Sequence, residues 1–129
     1  MQLLLFIFLG GGLGALSRHY IYNLTAHFTG SLMLWGTLAV NLSGSFMIGI
    51  FFQLMEYTFQ HPSDLRSFLL IGFLGAYTTF STYSLENYHL FKQGQIKMLL
   101  TNIALNNALG ILMVLLGIYA VKLGYRLCQ

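Results

Sequence analysis

Charge is what this sequence has least of. Of its 129 residues only nine are Asp, Glu, Lys or Arg, 7% of the chain, where an ordinary soluble domain carries about 25%. So few charges cannot clothe a soluble surface. Hydrophobic residues make up 57%, which excludes intrinsic disorder as well, since disorder needs low hydrophobicity and high charge. One proline and one cysteine exclude collagen-like, disulfide-framework and cysteine-ligated zinc classes. Cys128, next to last, reads as a frayed thiol. The net charge of +3 comes without a basic run, so a pI near 9.2 does not point to nucleic acid. His19, His27, His61 and His89 form no HxxxH or H-E-x-x-H pattern, and Glu56 and Asp64 have no nucleophile motif beside them. An enzyme is therefore not expected. What is abundant is apolar length, and that makes the chain an integral membrane protein.

A helix needs about 20 mostly apolar residues to cross the hydrocarbon core. Four stretches qualify, at residues 3–24, 32–55, 67–91 and 96–124. The first is interrupted near its far end by Arg18 and His19, and the second carries no charge. The third holds a run of hydroxyls and then Glu86, and the fourth has Lys97 and Lys122 at its ends. The connections 25–31, 56–66 (with Pro62 and Asp64) and 92–95 are too short to hold a soluble domain. The expectation is an all-α, single four-span domain over residues 1–129. The N-terminal run has no positive n-region and stays apolar past its glycines to Tyr22, so it reads as a retained span rather than a signal peptide. The apolar runs are continuous, not alternating, which argues against a lipid-facing barrel.

With four spans, the N-terminus, the second connection and the C-terminus share one side, which holds Arg66, Lys122 and Arg126. The other side holds Lys92, Lys97 and, counted at the end of span one, Arg18. The difference in Lys and Arg between sides orients a membrane protein, and here three face three. Either a translocon partner orients a weakly biased chain, or the chain inserts both ways and pairs with an inverted copy. Such a pair would be an unfused version of the inverted repeats of transporters. Four helices of this length do not easily enclose a pathway alone, which favours an oligomer independently.

Small residues four apart let helix backbones approach in lipid. They occur as Gly10 and Gly14, Ser45 and Gly49, Gly72 and Ala76, and Ala104 and Ala108, one pair per span. Trp35, near the start of span two, reads as an interfacial anchor. Thr37, Asn41 and Ser45 recur every fourth residue down span two, as Asn102 and Asn106 do in span four, flanked by Thr101 and Asn107. Polar side chains at this depth either bond a neighbouring helix or line a hydrated path. Their N–H and O–H groups can replace water around a small anion.

Span three has the densest polar signal, the run from Gly75 and Ala76 through Tyr77, Thr78, Thr79, Phe80, Ser81, Thr82 and Tyr83 to Ser84. Thr is a weak helix former, and Ser and Thr hydroxyls compete for backbone groups. The run is either a helix whose hydroxyls bond back to their own turns or a break near residues 75–80. A break frees carbonyls for a cation and creates a helix N-terminus that favours an anion. Phe80 and Tyr83, three apart, share a helix face, and an aromatic edge is positive enough to contact an anion.

The run from Gly72 to Ser84, the Gly-rich first span ending in Ser17-Arg18, and Val40-Asn41-Leu42-Ser43-Gly44 together resemble the Fluc (CrcB) fluoride channels over the whole chain. The resemblance implies a fluoride-selective channel that exports fluoride by passive electrodiffusion and confers fluoride resistance. It implies an antiparallel dual-topology homodimer with two pores, multi-pass in the bacterial inner membrane. Its partners would be fluoride, a second identical subunit in inverted orientation and the lipid bilayer, with no nucleic acid. A structural sodium ion would sit at the dimer interface on main-chain carbonyls, here those of Gly75 and Thr78. Phe80 and Tyr83 would face fluoride, Asn41 would donate to it, and Ser81 and Thr82 would continue a polar track. Thr37, Asn106, Glu86 and Arg18 are candidates for a pore end or vestibule. For Glu86 the alternative is snorkelling to the interface, and for Arg18 anchoring a helix end. The chain departs from the family pattern at Tyr83, where Phe is common, and at Ala76, where a second glycine is common.

The rival is a small dual-topology proton-coupled multidrug transporter. Such exchange needs an ionisable residue at mid-membrane, whereas no acid precedes Glu56 and Glu86 lies towards a span end. A passive membrane-assembly subunit is a third reading.

Overall fold

The computed structural model describes residues 2–29, 34–57 and 63–127. The first two apolar runs become uninterrupted helix, α1 (Gln2–Thr29) in spite of Arg18 and His19, and α2 (Leu34–Tyr57). The third apolar run is divided. Its first part, α3, comprises Ser63–Arg66, the widened π-type turns of Ser67–Leu74, and Gly75–Tyr77. The chain then leaves the helix, with Thr78 extended at φ −78° and ψ 162°, and re-enters it at α4 (Ser81–Lys92). The last helix, α5, runs through Ile96–Ala104, a second π-type stretch at Leu105–Leu109, and Gly110–Leu127. Gln2–Thr29, Leu34–Tyr57, Asp64–Lys92 and Ile96–Leu127 are each long and apolar enough to cross a membrane.

The helices overrun several of the expected ends, α1 and α3 by the most. α1 continues past residue 24 because Thr25 and Thr29 close their own turns, donating to the Ile21 carbonyl at 2.6 Å and the Thr25 carbonyl at 2.8 Å. Helix also begins at Ser63, inside the expected second connection. The expected start of span two at Leu32, the loop residues Ser31, His61 and Pro62, and Cys128 lie outside the described residues. Between α4 and α5 the chain reverses on Gly94, a glycine with positive φ (69°). The Gly94 N–H donates to the Phe91 carbonyl and the Gln95 N–H to the Leu90 carbonyl. This bond pair ends a helix on a left-handed residue that glycine occupies at least cost.

Two seams of touching backbone hold the spans together. α1 lies against α3 through Gly10, Gly14 and Gly72. A Cβ at Gly10 or Gly14 would overlap the carbonyl oxygen of Phe68 or Phe73, and one at Gly72 would come 2.7 Å from the Ile7 oxygen. α2 lies against the end of α5 in the same way, Gly49 on the Val114 carbonyl and Gly117 on the Phe46 carbonyl. Without a hydrophobic drive between helices in lipid, this close approach is what packs them. Ala104 and Ala108, expected to do this for span four, are exposed instead. Val40, Leu74 and Tyr77 form the buried core directly before the break. Trp35 is half-exposed near the start of α2.

Candidate functional site

Thr78 stands midway along the Asp64–Lys92 span. An unsatisfied backbone group at that depth costs several kcal/mol, so each group freed by the break needs a partner. The Thr78 N–H and hydroxyl both donate to the Leu74 carbonyl, at 3.0 and 2.9 Å, which closes α3. The Thr78 carbonyl accepts from Arg18 Nη1 at 3.5 Å. Thr79 is clamped by one carboxamide: Asn41 Oδ1 accepts its N–H at 3.0 Å, and Asn41 Nδ2 donates to its carbonyl at 3.2 Å. The Thr79 hydroxyl accepts the Thr82 N–H at 3.2 Å and donates to the Thr82 hydroxyl at 3.1 Å. That serves one of the donors a helix start leaves open. Gly44 makes room for the clamp, since a Cβ there would overlap the Thr78 methyl group.

From Asn41 a line of amides runs across the bundle. Asn41 Nδ2 donates to Asn106 Oδ1 at 3.1 Å. Asn106 Nδ2 donates to Asn102 Oδ1 at 2.9 Å and to the Asn102 carbonyl at 3.1 Å. Asn102 Nδ2 donates to Asn87 Oδ1 at 2.9 Å. Interhelical hydrogen bonds in membranes average about 0.6 kcal/mol, so as glue each link is minor. Its larger effect is to fix which way the Asn41 amide points, and so to keep the break satisfied.

Beside the break lies a cleft of about 370 Å³, lined by Asn41, Ser45, Thr79, Phe80, Tyr83 and Asn106 among others. The Phe80 and Tyr83 ring centroids are 5.7 Å apart with planes at 48°, and Phe80 is 78% exposed. Asn107 Nδ2 donates to the Tyr83 hydroxyl at 3.1 Å.

Other expected site residues lie elsewhere. Ser81 and Thr82 are not in the lining; their hydroxyls gather on Thr79. Thr37 is fully buried behind the cleft and donates to Glu86 Oε1, with the Tyr22 hydroxyl 3.3 Å away. Glu86 is 2% exposed, so it does not snorkel. Its other carboxylate oxygen has no hydrogen-bond partner among the described residues. Arg18 is not a helix-end anchor either, since α1 continues eleven residues past it to Thr29 and its guanidinium turns to Thr78. Asn87 and the link from Asn107 to Tyr83 carried no signal in the sequence, because both depend on partners 15 and 24 residues away.

The expected sodium ion and metal-binding role are corrected. Among the described residues no group of three or more His, Cys, Asp or Glu could hold a metal ion. Gly75 and Thr78 both border the cleft, but the Thr78 carbonyl already faces the Arg18 guanidinium, a cation where a metal was expected. The residues present do not fit the ion.

Fold and site together define a four-span membrane protein whose third span is broken at mid-depth beside a polar, aromatic-edged cleft. Residues 5–118 match the family described as CrcB-like protein, Camphor Resistance (CrcB), and the chain belongs to that family. It is 43% identical over 113 residues to a protein of Hydrogenovibrio crunogenus named fluoride-specific ion channel FluC, covering 88% of this chain and 86% of that one. Proteins of the same name resemble it from Hahella chejuensis (41% over 126 residues, 98% and 94% covered) and Dehalococcoides mccartyi (44% over 110 residues, 85% of each). Proteins so named are channels rather than enzymes, in line with the expectation for this chain. Four apolar helical spans and bacterial relatives put it in the bacterial inner membrane as a multi-pass protein.

Proposed function

We propose that the chain is a fluoride-selective channel, one four-span unit over residues 1–129, working as an antiparallel homodimer with two separate pores. Fluoride leaves the cell through them by passive electrodiffusion. The observation that carries this reading is the break at Thr78 with its open-sided cleft. Backbone out of helix is tolerated at membrane depth only when buried in protein or lining water, yet one chain leaves Phe80 beside the break 78% exposed. A second, inverted copy brings the same surface to cover it. The charge pattern supports this. With Arg18 drawn to Thr78, Arg66, Lys122 and Arg126 stand against Lys92 and Lys97, an excess of one that biases insertion only weakly.

In this reading fluoride passes the positive ring edges of Phe80 and Tyr83. Both Asn41 Nδ2 hydrogens are engaged, by the Thr79 carbonyl and Asn106 Oδ1. An ion taking one must therefore displace a bond already made. Ser81 and Thr82 extend the polar surface through Thr79, and the positive end of the α4 dipole opens at the same place. Arg18 supplies fixed positive charge behind the Thr78 carbonyl. Thr37 and Glu86 mark the pore's end, with the carboxylate turned away from the ion by its bond to Thr37. That enclosure also speaks against the drug–proton rival, which needs an acid that substrate and proton can both reach.

The test is an ion-selective electrode recording from liposomes loaded with fluoride and chloride. Fluoride should leave and chloride should stay, with no drug–proton exchange in the same vesicles. Exchange without fluoride efflux would overturn the channel. Impermeant maleimide on Cys128, the single cysteine, should label chains from both faces of the membrane. Labelling from one face alone would overturn the antiparallel dimer.

A further inference from the structure

Almost every donor in the cleft is committed, and one of the two exceptions leads to Asn107. The Asn41 and Asn106 amides each make two donations, and the Thr78 and Thr79 hydroxyls donate to the Leu74 carbonyl and the Thr82 hydroxyl. Among the described residues, the cleft hydroxyls whose hydrogens have no protein acceptor are those of Ser45 and Tyr83. A phenol can both donate and accept. Its O–H hydrogen lies in the ring plane, because the oxygen conjugates with the ring, so two orientations compete. One of them would turn a lone pair towards the cleft, and a lone pair repels an anion.

Asn107 decides between them. Its Nδ2 donates to the Ile103 carbonyl at 2.8 Å as well as to the Tyr83 hydroxyl at 3.1 Å. A flipped amide would set Oδ1 against the Ile103 carbonyl oxygen, so the amide presents N–H, not oxygen, to the phenol. The phenol must then accept on that side, and its hydrogen turns the other way. Accepting a bond also polarises the O–H and strengthens it as a donor. We propose that Asn107 is a positioning residue that fixes the polarity of the Tyr83 phenol, so that an anion in the cleft meets its O–H hydrogen, in line with the positive ring edge. This rests on the reading that Tyr83 faces fluoride, and it turns the departure from Phe at that position into a further donor.

The test is a double-mutant cycle in proteoliposomes with fluoride efflux as the readout. Asn107→Leu should lower efflux about fivefold in the Tyr83 background, the scale of one hydrogen bond. It should change nothing when made in Tyr83→Phe, whatever the efflux of that variant itself. Equal losses in both backgrounds, or none in either, overturn the proposal. A second readout is the Tyr83 Cζ resonance in protein labelled with carbon-13 at that atom, assigned by its disappearance in Tyr83→Phe. Added fluoride should move it in the unmodified chain and move it less in Asn107→Leu. Efflux without any movement of the resonance overturns this proposal and leaves the channel standing. Movement without efflux overturns the channel and leaves this proposal standing.

Discussion

The two halves of the third span live in opposite surroundings. Ahead of the break, α3 is closed over by α1 along the Gly10, Gly14 and Gly72 seam, and Leu74 and Tyr77 are buried. Past it, Phe80 and, on α4, Leu85, Tyr88 and Phe91 turn outwards, all more than half exposed. The first half is packed within one chain along that seam, with Ile71 on its other side 58% exposed. The second leaves its apolar rings uncovered by the chain itself. Exposed apolar rings alone do not demand a protein cover, because lipid tails are as apolar as they are. Main chain out of helix beside a polar cleft does need protein or water against it. It is therefore the break, not the apolar area, that argues for a second copy.

The largest effect should come from attacking the clamp on the open half. Asn41→Asp would set a carboxylate against the Thr79 carbonyl and Asn106 Oδ1, two acceptors that now receive its N–H groups. It would also place negative charge on the anion's route. Fluoride efflux should fall to that of empty liposomes, with less folded protein recovered. Full efflux would put Asn41 off the pathway. Phe80→Ile comes next. It keeps the bulk of an exposed side chain whose ring leans on Tyr83 but removes the positive ring edge. The dimer should still form by cross-linking while efflux drops to near background, and undiminished efflux would reject the aromatic-edge role.

The closed half should respond differently. At Gly14 the added methyl of Gly14→Ala has no space, because the obstacle is the Phe73 carbonyl and not a movable side chain. Overpacking of this kind costs about 1–3 kcal/mol. A lower melting temperature and less protein in the membrane are expected, while the dimers that do fold conduct at the normal rate each. A per-dimer loss of conduction would mean that the two halves are not separable.

Much of this division could be read from the sequence, and the reasons for the rest are physical. Four runs of apolar residues gave four spans, because length against the bilayer is a strong constraint. Their ends were not readable, since Thr25 and Thr29 look like loop until their hydroxyls are seen closing their own turns. The break expected over residues 75–80 begins at Thr78, as Gly75–Tyr77 stay helical. Thr37, Asn41 and Ser45 looked like one stripe, but four residues overshoot a turn by about 40°. Thr37 accordingly meets Glu86, Asn41 meets Thr79 and Ser45 faces the cleft. The enclosure of Glu86 was hidden because its partner is 49 residues away. The π-type turns, one of which carries Asn106 and Asn107, depend on bonds that leave no mark in composition.

The smallest effect sharpens the comparison most. Gly12 lies on the same helix as Gly14, two residues earlier, yet a Cβ there would meet nothing within 4 Å. In a helix interior alanine is better than glycine by about 1 kcal/mol, so Gly12→Ala should leave efflux unchanged and leave the melting temperature equal or slightly raised. The same methyl group on one helix would then cost stability at one register and nothing at the other. That is the signature of a face turned to lipid. It also bears on where the second copy sits. If the partner covers the break, the outer face of α1 stays in lipid and Gly12→Ala is silent in the dimer. If Gly12→Ala instead weakens cross-linking between subunits or stops efflux, the partner packs on α1. The cleft beside Phe80 would then have to be closed by water or lipid headgroups, not by a second chain.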